Sequence, residues 1–307
     1  MPTLRLWAKA GLFALLTLTL SVGGLARAAG PQQPQAPQVD SFVYLPLVSR
    51  GYACPTTSAN SYAQGPVYQW DNDNPVRPAW NHADKNISLR SYNLNTSETK
   101  ALFSYVSDPN EGNKPPQLGT MFNPDRATNA AANISNVYRI NGWNWQNPPL
   151  PGTRGSEVPN PGVTVLGLRT TPGDILQVPV SGYTIGGAPT QMEVIVIYAD
   201  ADTVVLHYTR EDSAAKGYTV HVDNICTDPN LLTLYTTLDN ATRNTYHGGP
   251  DATLDYDLVT LTEQQTFGTA HFDEIRIAIV DTGAYLDPRS CWEFWHWVGP
   301  NVGGACQ

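Results

Sequence analysis

Few side chains in this sequence combine the type and the spacing that catalysis or metal binding requires. His82 and Asp84 form a His-x-Asp pair in "PAWNHADKN", a segment with the aromatic and amide content of a binding loop. His247 and Asp251 lie four residues apart in "HGGPD", but Gly-Gly-Pro cannot continue a helix, so no helical His-x-x-x-Asp site is expected there. His82 and Asp84 are therefore the candidate pair for a hydrolase with its site in the N-terminal half.

Other catalytic signatures are missing from the sequence. It contains no G-x-S-x-G elbow, Walker loop, H-E-x-x-H motif or dinucleotide fingerprint. The acidic pairs Asp200/Asp202 and Glu211/Asp212 could resemble glycosidase carboxylates, but short acidic pairs on hairpin turns are usually solvated. We therefore expect no cofactor, and a role in binding is favoured over a role in catalysis.

Aromatic side chains offer a second kind of site. Four tryptophans of the N-terminal half lie among Asn, Asp and Pro: Trp70, Trp80, Trp143 and Trp145. A flat apolar ring stacks on the C–H groups of a sugar, while amides bond its hydroxyl groups. These residues are candidates for glycan stacking, and the alternative is that they form the core of a loop-rich region.

The N-terminus has the pattern of a secretory signal peptide over residues 1–28. Arg5 and Lys9 precede an apolar run over 10–25, and Ala26-Arg27-Ala28 has the small-x-small form of a cleavage site. We expect a secreted or cell-envelope protein with no membrane span after cleavage.

Charge excludes one class of partner. The chain has 18 basic and 27 acidic residues, a net charge of −9, and no Lys/Arg cluster. A nucleic acid or an anionic lipid surface is therefore not expected as a partner.

Four cysteines are present: Cys54, Cys226, Cys291 and Cys306. An even number in an oxidising compartment favours two disulfides, and no C-x-x-C pair indicates a metal site. Three pairings are possible. The pairing favoured here joins Cys291 to Cys306 across a short loop, which leaves Cys54 with Cys226.

Composition changes along the chain predict four regions. A Pro/Gln-rich linker over 29–40 follows the signal peptide, then a loop-rich, aromatic and Asn-rich region over 41–150, and a β-rich domain over 151–307. Within the loop-rich region, "SETKALFSYVSD" (97–108) predicts one or two helical turns, and "NISNVYRINGWNW" (133–145) predicts a strand.

Short β-type runs dominate from Val163 onward: "VTVLGL", "ILQVPV", "MEVIVIYA", "TVVLHYT", "GYTVHVD" and "EIRIAIV". Gly, Pro and Asp separate them, which predicts a mainly β fold built on an antiparallel sheet. Asp228 and Pro229 predict the start of one short helix over 230–239. His207 and His221 lie in strand-like runs and are expected to be ordinary sheet residues.

Four stretches, in order, resemble the lysostaphin-like (LytM-type) zinc peptidases, which cleave peptide cross-links of bacterial cell walls. The stretches are "NPGVTVLGLRTTPGDILQVPVSG" (160–182), "GYTVHVD" with "LLTLYTTLD" (217–239), "EQQTFGTA" (263–270) and "AHFDEIRIAIVDTGAYLDP" (270–288). The resemblance implies a LytM-like β fold for the C-terminal half.

The residues that depart from the family pattern are those that bind zinc and catalyse. Asn160, Thr164, Thr237, Ala270 and Phe272 stand where the family has metal ligands and a catalytic histidine. His271 is one residue out of register, so on a strand it should point to the opposite face. The resemblance therefore implies a groove without metal.

Together these features favour a secreted, non-catalytic binding or regulatory module of the cell envelope that uses this former peptidase groove. Peptidoglycan, another glycan or an envelope protein would be its partner. The alternatives are a glycan-binding module that uses the N-terminal tryptophans, and a hydrolase with its site at His82 and Asp84.

Overall fold

The computed structural model describes residues 52–67, 83, 85–104, 115–126, 130–146, 152–185, 191–208, 217–245, 256–281 and 283–295. The predicted signal peptide and linker lie outside these residues. So do the following predicted site and pair residues: His82, Asp84, His247, Asp251, Glu211, Asp212, Trp70, Trp80 and Cys306.

The described residues contain fourteen strands and five short or medium helices. The strands are β1 (Ala63–Val67), β2 (Tyr92–Leu94), β3 (Ile134–Asn144), β4 (Thr153–Glu157), β5 (Val165–Arg169), β6 (Ile175–Gln177), β7 (Val194–Ala199), β8 (Thr203–Tyr208), β9 (Tyr218–Asp223), β10 (Ile225–Thr227), β11 (Tyr256–Leu261), β12 (Thr266–Ala270), β13 (Glu274–Asp281) and β14 (Ala284–Tyr285). The helices are α1 (Ile87–Arg90), the 3-10 helix Leu118–Met121, α2 (Ala130–Asn133), α3 (Pro229–Thr245) and α4 (Cys291–Phe294).

Eleven strands form one antiparallel sheet. Its order is β1-β11-β7-β8-β9-β13-β5-β3-β2, with β14 added on β13 and β4 on β3. A second antiparallel sheet has the order β10-β12-β6. The prediction of a mainly β fold with an antiparallel sheet is confirmed. Its finer form, a LytM-like sheet, stays a prediction.

Helix α3 begins where the sequence predicts. The Asp228 carboxylate accepts hydrogen bonds from the backbone N–H groups of Asn230 (2.9 Å) and Leu231 (3.4 Å), and Pro229 occupies the first helical position. The helix runs to Thr245, beyond the predicted end at 239, and packs against β7 and β11. Among the described residues, no helix is both long and apolar enough to cross a bilayer.

Side chains alternate along β13, so its residues contact the main apolar core on one face of the large sheet and a smaller cluster on the other. Ile275, Ile277 and Ile279 are fully buried in the main apolar core. On the opposite face, Ala278 belongs to a smaller apolar cluster with Ile87 of α1 and its neighbours. Arg276 and Glu274 lie on this second face as well, because they precede Ala278 by two and four residues along the strand.

The large sheet crosses the boundary that the sequence analysis placed at residue 150. Strands β2 and β3 come from the predicted loop-rich region, and β3 pairs with β5 of the predicted β-rich domain. All described residues belong to one compact unit, Ser49–Gln307.

A disulfide between Cys54 and Cys226 joins the first described segment to β10, with the two Cα atoms 5.3 Å apart. This confirms one of the two predicted pairings. Cys291 is fully buried at the start of α4, but the pairing with Cys306 stays a prediction because Cys306 is not described.

Two local predictions are wrong. Residues 97–104, the described part of "SETKALFSYVSD", form turns and a single bridge and contain no helix; the Ser97 N–H and hydroxyl instead hydrogen-bond the Asn95 side chain. His271 and Phe272 do not point to opposite faces. They lie in the bend between β12 and β13, where strand alternation does not apply, and their rings are 4.1 Å apart.

The Glu193 carboxyl makes the stability of the sheet depend on pH. It is 3% exposed, beside β7, and accepts a hydrogen bond of 2.6 Å from the backbone N–H of Ser181. Burial raises its pKa from 4.5 to about 7. Because the folded state holds this proton more tightly, the contribution of Glu193 is present below about pH 4.5 and is lost as the pH rises through about 7.

In the wild type, the Glu193 carboxyl should lower the free energy of unfolding by up to about 3 kcal/mol as the pH rises from 4.5 to 8. In Glu193→Gln, which cannot ionise at this position, this decrease should be absent. Urea denaturation across this range measures the effect. Glu157→Gln, on the exposed strand β4, is the matched control and should keep the wild-type pH profile. Equal pH profiles for Glu193→Gln and wild type would contradict the prediction.

Candidate functional site

A row of polar positions crosses the second face of the large sheet. Thr203 of β8 pairs with Asp223 of β9, Asp223 with Arg276 of β13, Arg276 with Gly167 of β5, and Gly167 with Asn136 of β3. Directly paired residues of antiparallel strands point to the same face. The fold therefore aligns these five positions side by side.

Glu274, on β13 beside this row, is the centre of a hydrogen-bond network. Its carboxylate accepts from the hydroxyl groups of Ser135 (2.5 Å) and Tyr138 (2.5 Å), from the Asn136 amide (2.6 Å) and from Arg276 Nε (3.1 Å). Burial alone raises the pKa of Glu274, but these donors lower it by more, so the net shift is downward. Glu274 is therefore an ionised, fully bonded carboxylate.

Arg276 links Glu274 to the acidic end of the row. Its Nη1 donates to the Tyr92 hydroxyl (2.9 Å), which donates to Asp223 Oδ2 (2.5 Å). The guanidinium lies between two rings, 5.0 Å from the centroid of Tyr92 and 5.2 Å from that of Tyr138. Burial lowers the pKa of Arg276, but the Tyr92 and Glu274 bonds raise it by more. Arg276 is thus permanently charged and held in one position.

The carboxylate fits only because residue 167 is glycine. A Cβ at Gly167 would lie 2.5 Å from Glu274 Oε2, 2.7 Å from its Cδ and 2.8 Å from Ser135 Oγ. The Glu274 carboxylate therefore packs directly against the backbone of β5 at Gly167.

This network forms one wall of an open pocket of about 720 Å³. The remaining lining residues, apart from the network, are Lys100, Arg169, Asn224, Phe272 and Asp273. Phe272 is 43% exposed, which is unusual for a large apolar ring. The pocket therefore combines an accessible aromatic ring with amide, cationic and carboxylate groups.

The charges that remain available in the pocket are mainly positive. Arg169 is exposed beside its strand partner Glu274, and its guanidinium makes no hydrogen bond or ion pair with any described residue. Lys100 donates to the backbone carbonyl of Ser135. Arg276 neutralises Glu274, so Lys100 and Arg169 face a single uncompensated carboxylate, Asp273.

Of the five positions predicted to line a former peptidase groove, only Phe272 lines this pocket. Thr164 is fully buried, and its hydroxyl accepts from the Ile140 N–H (2.7 Å), closing the junction of β3 and β5. Thr237 is exposed on α3 and donates to the Thr233 carbonyl (2.8 Å). Ala270 is fully buried at the end of β12, and Asn160 is exposed before β5.

Sheet order explains why these positions lie apart. Helix α3 packs on β7 and β11, whereas Thr164 directly precedes β5. Strands β8, β9 and β13 separate β7 from β5, a distance of roughly 19 Å at ordinary strand spacing.

Of the four tryptophans predicted to stack on a glycan, the structure describes Trp143 and Trp145, which form a pair in the β3–β4 hairpin. Their ring centroids are 6.4 Å apart at an angle of 64°, an edge-to-face contact and not a flat platform. Trp143 packs so closely on Gly152 that a Cβ there would overlap the indole Nε1, while Trp145 is 53% exposed. Trp143 is thus a half-buried packing residue, and Trp145 is the more accessible of the two.

Of the remaining candidates, the structure describes Asp200, Asp202, His207 and His221. Asp200 Oδ1 accepts from the backbone N–H groups of Asp202 (3.0 Å) and Thr203 (2.8 Å), which closes the β7–β8 turn. His207 and His221 lie on β8 and β9, as predicted.

Sequence reasoning noted Glu274 and Arg276 only as part of the family resemblance. The alternation in "DEIRIAIV" was the available signal, because it places an acid and a base on one face of a strand whose other face is isoleucine. Their partners on β2 and β3 could not be found without the pairing of distant strands.

Comparison with known proteins adds no relative: no protein family model, no curated protein and no solved structure matches the chain.

Proposed function

We propose that the protein is a secreted, non-catalytic binding module that takes a carboxylate-bearing saccharide in the pocket at the start of β13. One observation carries the proposal. The exposed Phe272 ring and the Arg169 guanidinium, which pairs with no described residue, line the same pocket as a preorganised wall of polar side chains.

A saccharide suits the chemistry of the pocket. Phe272 offers a flat apolar surface for the C–H face of a sugar ring, next to the amides of Asn136 and Asn224. The His271 ring, 4.1 Å from Phe272, supports that surface. A volume of about 720 Å³ accommodates one or two sugar rings.

A negative charge on the ligand follows from the charges in the pocket. Glu274 is already neutralised by Arg276, whereas Arg169 makes no ion pair with any described residue. An arginine fork matches a carboxylate, and such charge-assisted bonds are stronger than bonds between neutral groups. This local positive charge contrasts with the net charge of −9 of the whole chain.

Binding is favoured over glycoside hydrolysis by the state of Glu274. A general acid in a glycosidase needs a raised pKa so that it carries a proton near neutral pH. Hydrogen bonds from Ser135, Tyr138, Asn136 and Arg276 outweigh the effect of burial and lower the pKa of Glu274 instead. The Glu274 carboxylate thus binds Arg276 and is not suited to donate a proton to a glycosidic oxygen.

Cell-wall peptidoglycan is the natural source of such a ligand for an envelope protein. Its N-acetylmuramic acid carries a lactyl carboxylate, and N-acetylglucosamine is the same sugar without that group. The proposal keeps the cell-envelope partner expected from the sequence but moves the site from the former groove positions to the Glu274 pocket.

Arg169→Gln should weaken the binding of N-acetylmuramic acid about tenfold or more, because it removes the charged donor for the carboxylate. Isothermal titration calorimetry measures the change. Arg154→Gln, an exposed arginine on β4 outside the pocket lining, is the matched control and should bind like wild type. Equal affinity of Arg169→Gln and wild type would show that the carboxylate is not held at this pocket.

A further inference from the structure

A second group of potential ligand atoms lies beside the pocket, at the corner between β10 and β12. The sulfur atoms of Cys54 and Cys226 and a ring nitrogen of His271 all lie within 4.8 Å of one another. Cys226 is almost fully buried, while Cys54 and His271 are half-buried, so the corner is reachable from solvent.

The fold holds these three residues together through independent contacts. Cys226 is on β10, and its neighbour Ile225 pairs with Ala270, directly before His271. The His271 N–H donates to the Asn224 carbonyl (3.1 Å), which fixes the backbone on both sides of the corner. Within the described part of the chain, neither ring nitrogen of His271 makes a hydrogen bond.

We propose that reduction of the Cys54–Cys226 disulfide converts this corner into a Cys₂His site for a thiophilic divalent cation such as Zn²⁺. Two thiolates and one neutral imidazole are a ligand set that zinc accepts, with the fourth tetrahedral position left to water. With zinc–sulfur bonds of about 2.3 Å and zinc–nitrogen bonds of about 2.0 Å, the two sulfur atoms must separate from their disulfide contact, while the three ligand atoms already lie within 4.8 Å of one another.

The chemistry balances with a dithiol as the reductant. The dithiol transfers two electrons and two protons, the S–S bond breaks to give two cysteine thiols, and the dithiol closes to a cyclic disulfide. Metal binding then displaces one proton from each thiol, so two protons are released for each Zn²⁺ bound.

The metal would replace the disulfide as the link between the first described segment and β10. Reduction removes the covalent cross-link, and coordination by Cys54 on one side and Cys226 and His271 on the other restores a bond between the same elements. Reduced protein should therefore lose thermal stability, and Zn²⁺ should restore part of the loss. The oxidised protein has no free thiolate at this corner and should not respond.

Cobalt titration of the full chain tests the site. The protein is reduced with dithiothreitol, desalted without oxygen and titrated with Co²⁺, which reports thiolate ligands by charge transfer and tetrahedral geometry by its visible bands. One equivalent should bind to wild type. His271→Ala and His271→Gln should bind at least about tenfold more weakly, because each removes one of three protein ligands.

Two controls identify the site. His207→Ala, on β8, should bind Co²⁺ like wild type, and Cys226→Ser should lose the charge-transfer band even if Cys291 is also reduced. The proposal is overturned if oxidised protein binds Co²⁺ equally well, if both His271 variants retain wild-type affinity, if the band persists in Cys226→Ser, or if reduced wild type binds no cobalt.

Discussion

Replacing Gly167 with alanine should cost about 3 kcal/mol of folding free energy and abolish ligand binding at the pocket. The new Cβ would lie 2.5 Å from Glu274 Oε2, so the carboxylate would have to move. Four donors hold that carboxylate, and it is only 9% exposed, so its movement breaks charge-assisted bonds as well as packing. Thermal unfolding should shift downward by about 6–12 °C.

Gly155→Ala is the matched control for this prediction. It lies on β4, and the nearest atom to its added Cβ would be the side-chain oxygen of Asn144, at 3.2 Å. A double-mutant cycle separates the cause: in the Glu274→Ala background, Gly167→Ala should cost much less, since the clashing carboxylate is gone. The same cost in both backgrounds would show that Glu274 is not what excludes a side chain at 167.

Removing the disulfide by the double substitution Cys54→Ala/Cys226→Ala should lower the free energy of unfolding by up to about 5 kcal/mol. The two cysteines are 172 residues apart, and cross-linking so long a loop strongly restricts the unfolded chain. The folded segment around Cys54 keeps other contacts, since Ser58 (2.6 Å) and Asn60 (2.7 Å) both donate to Asp228. The effect should therefore appear in stability more than in the folded structure.

Guanidinium denaturation of the double variant and wild type, both under non-reducing conditions, measures this cost. Hydrogen exchange then shows whether the loss of stability is global or local. If it is global, the amides in the strands of the large sheet should exchange faster in proportion to the lost free energy of unfolding. A change below about 1 kcal/mol would mean that the cross-link does little to the unfolded chain.

Much of the fold could be predicted because its signals are local. Alternating or continuous apolar runs indicated β5, β7, β8, β9 and β13, and the Asp228–Pro229 pair indicated the start of α3. Apolar runs of this kind identify a strand from its own residues alone. The prediction failed at residues 97–104, where the capping pattern around Ser97 serves a turn instead of a helix.

The site could not be predicted in the same way because it depends on strand pairing across long distances in the chain. Glu274 receives its hydrogen bonds from Ser135, Asn136 and Tyr138, about half the chain away, and Arg276 bonds Tyr92. No local sequence pattern predicts that β13 and β3 both pair with β5. The family resemblance grouped Thr164 and Thr237 in one groove, whereas Thr164 directly precedes β5 and Thr237 lies on α3, which packs on β7 and β11.

A paired titration of the isotope-labelled protein with N-acetylmuramic acid and with N-acetylglucosamine, followed by NMR, tests the proposed saccharide site directly. N-acetylmuramic acid should shift the amide signals of Arg169, Asn224, Phe272 and Asp273, and N-acetylglucosamine should bind about tenfold more weakly or not at all. Shifts of equal size and affinity for both sugars would contradict the anionic preference. If neither sugar shifts these signals, the pocket is not a saccharide site.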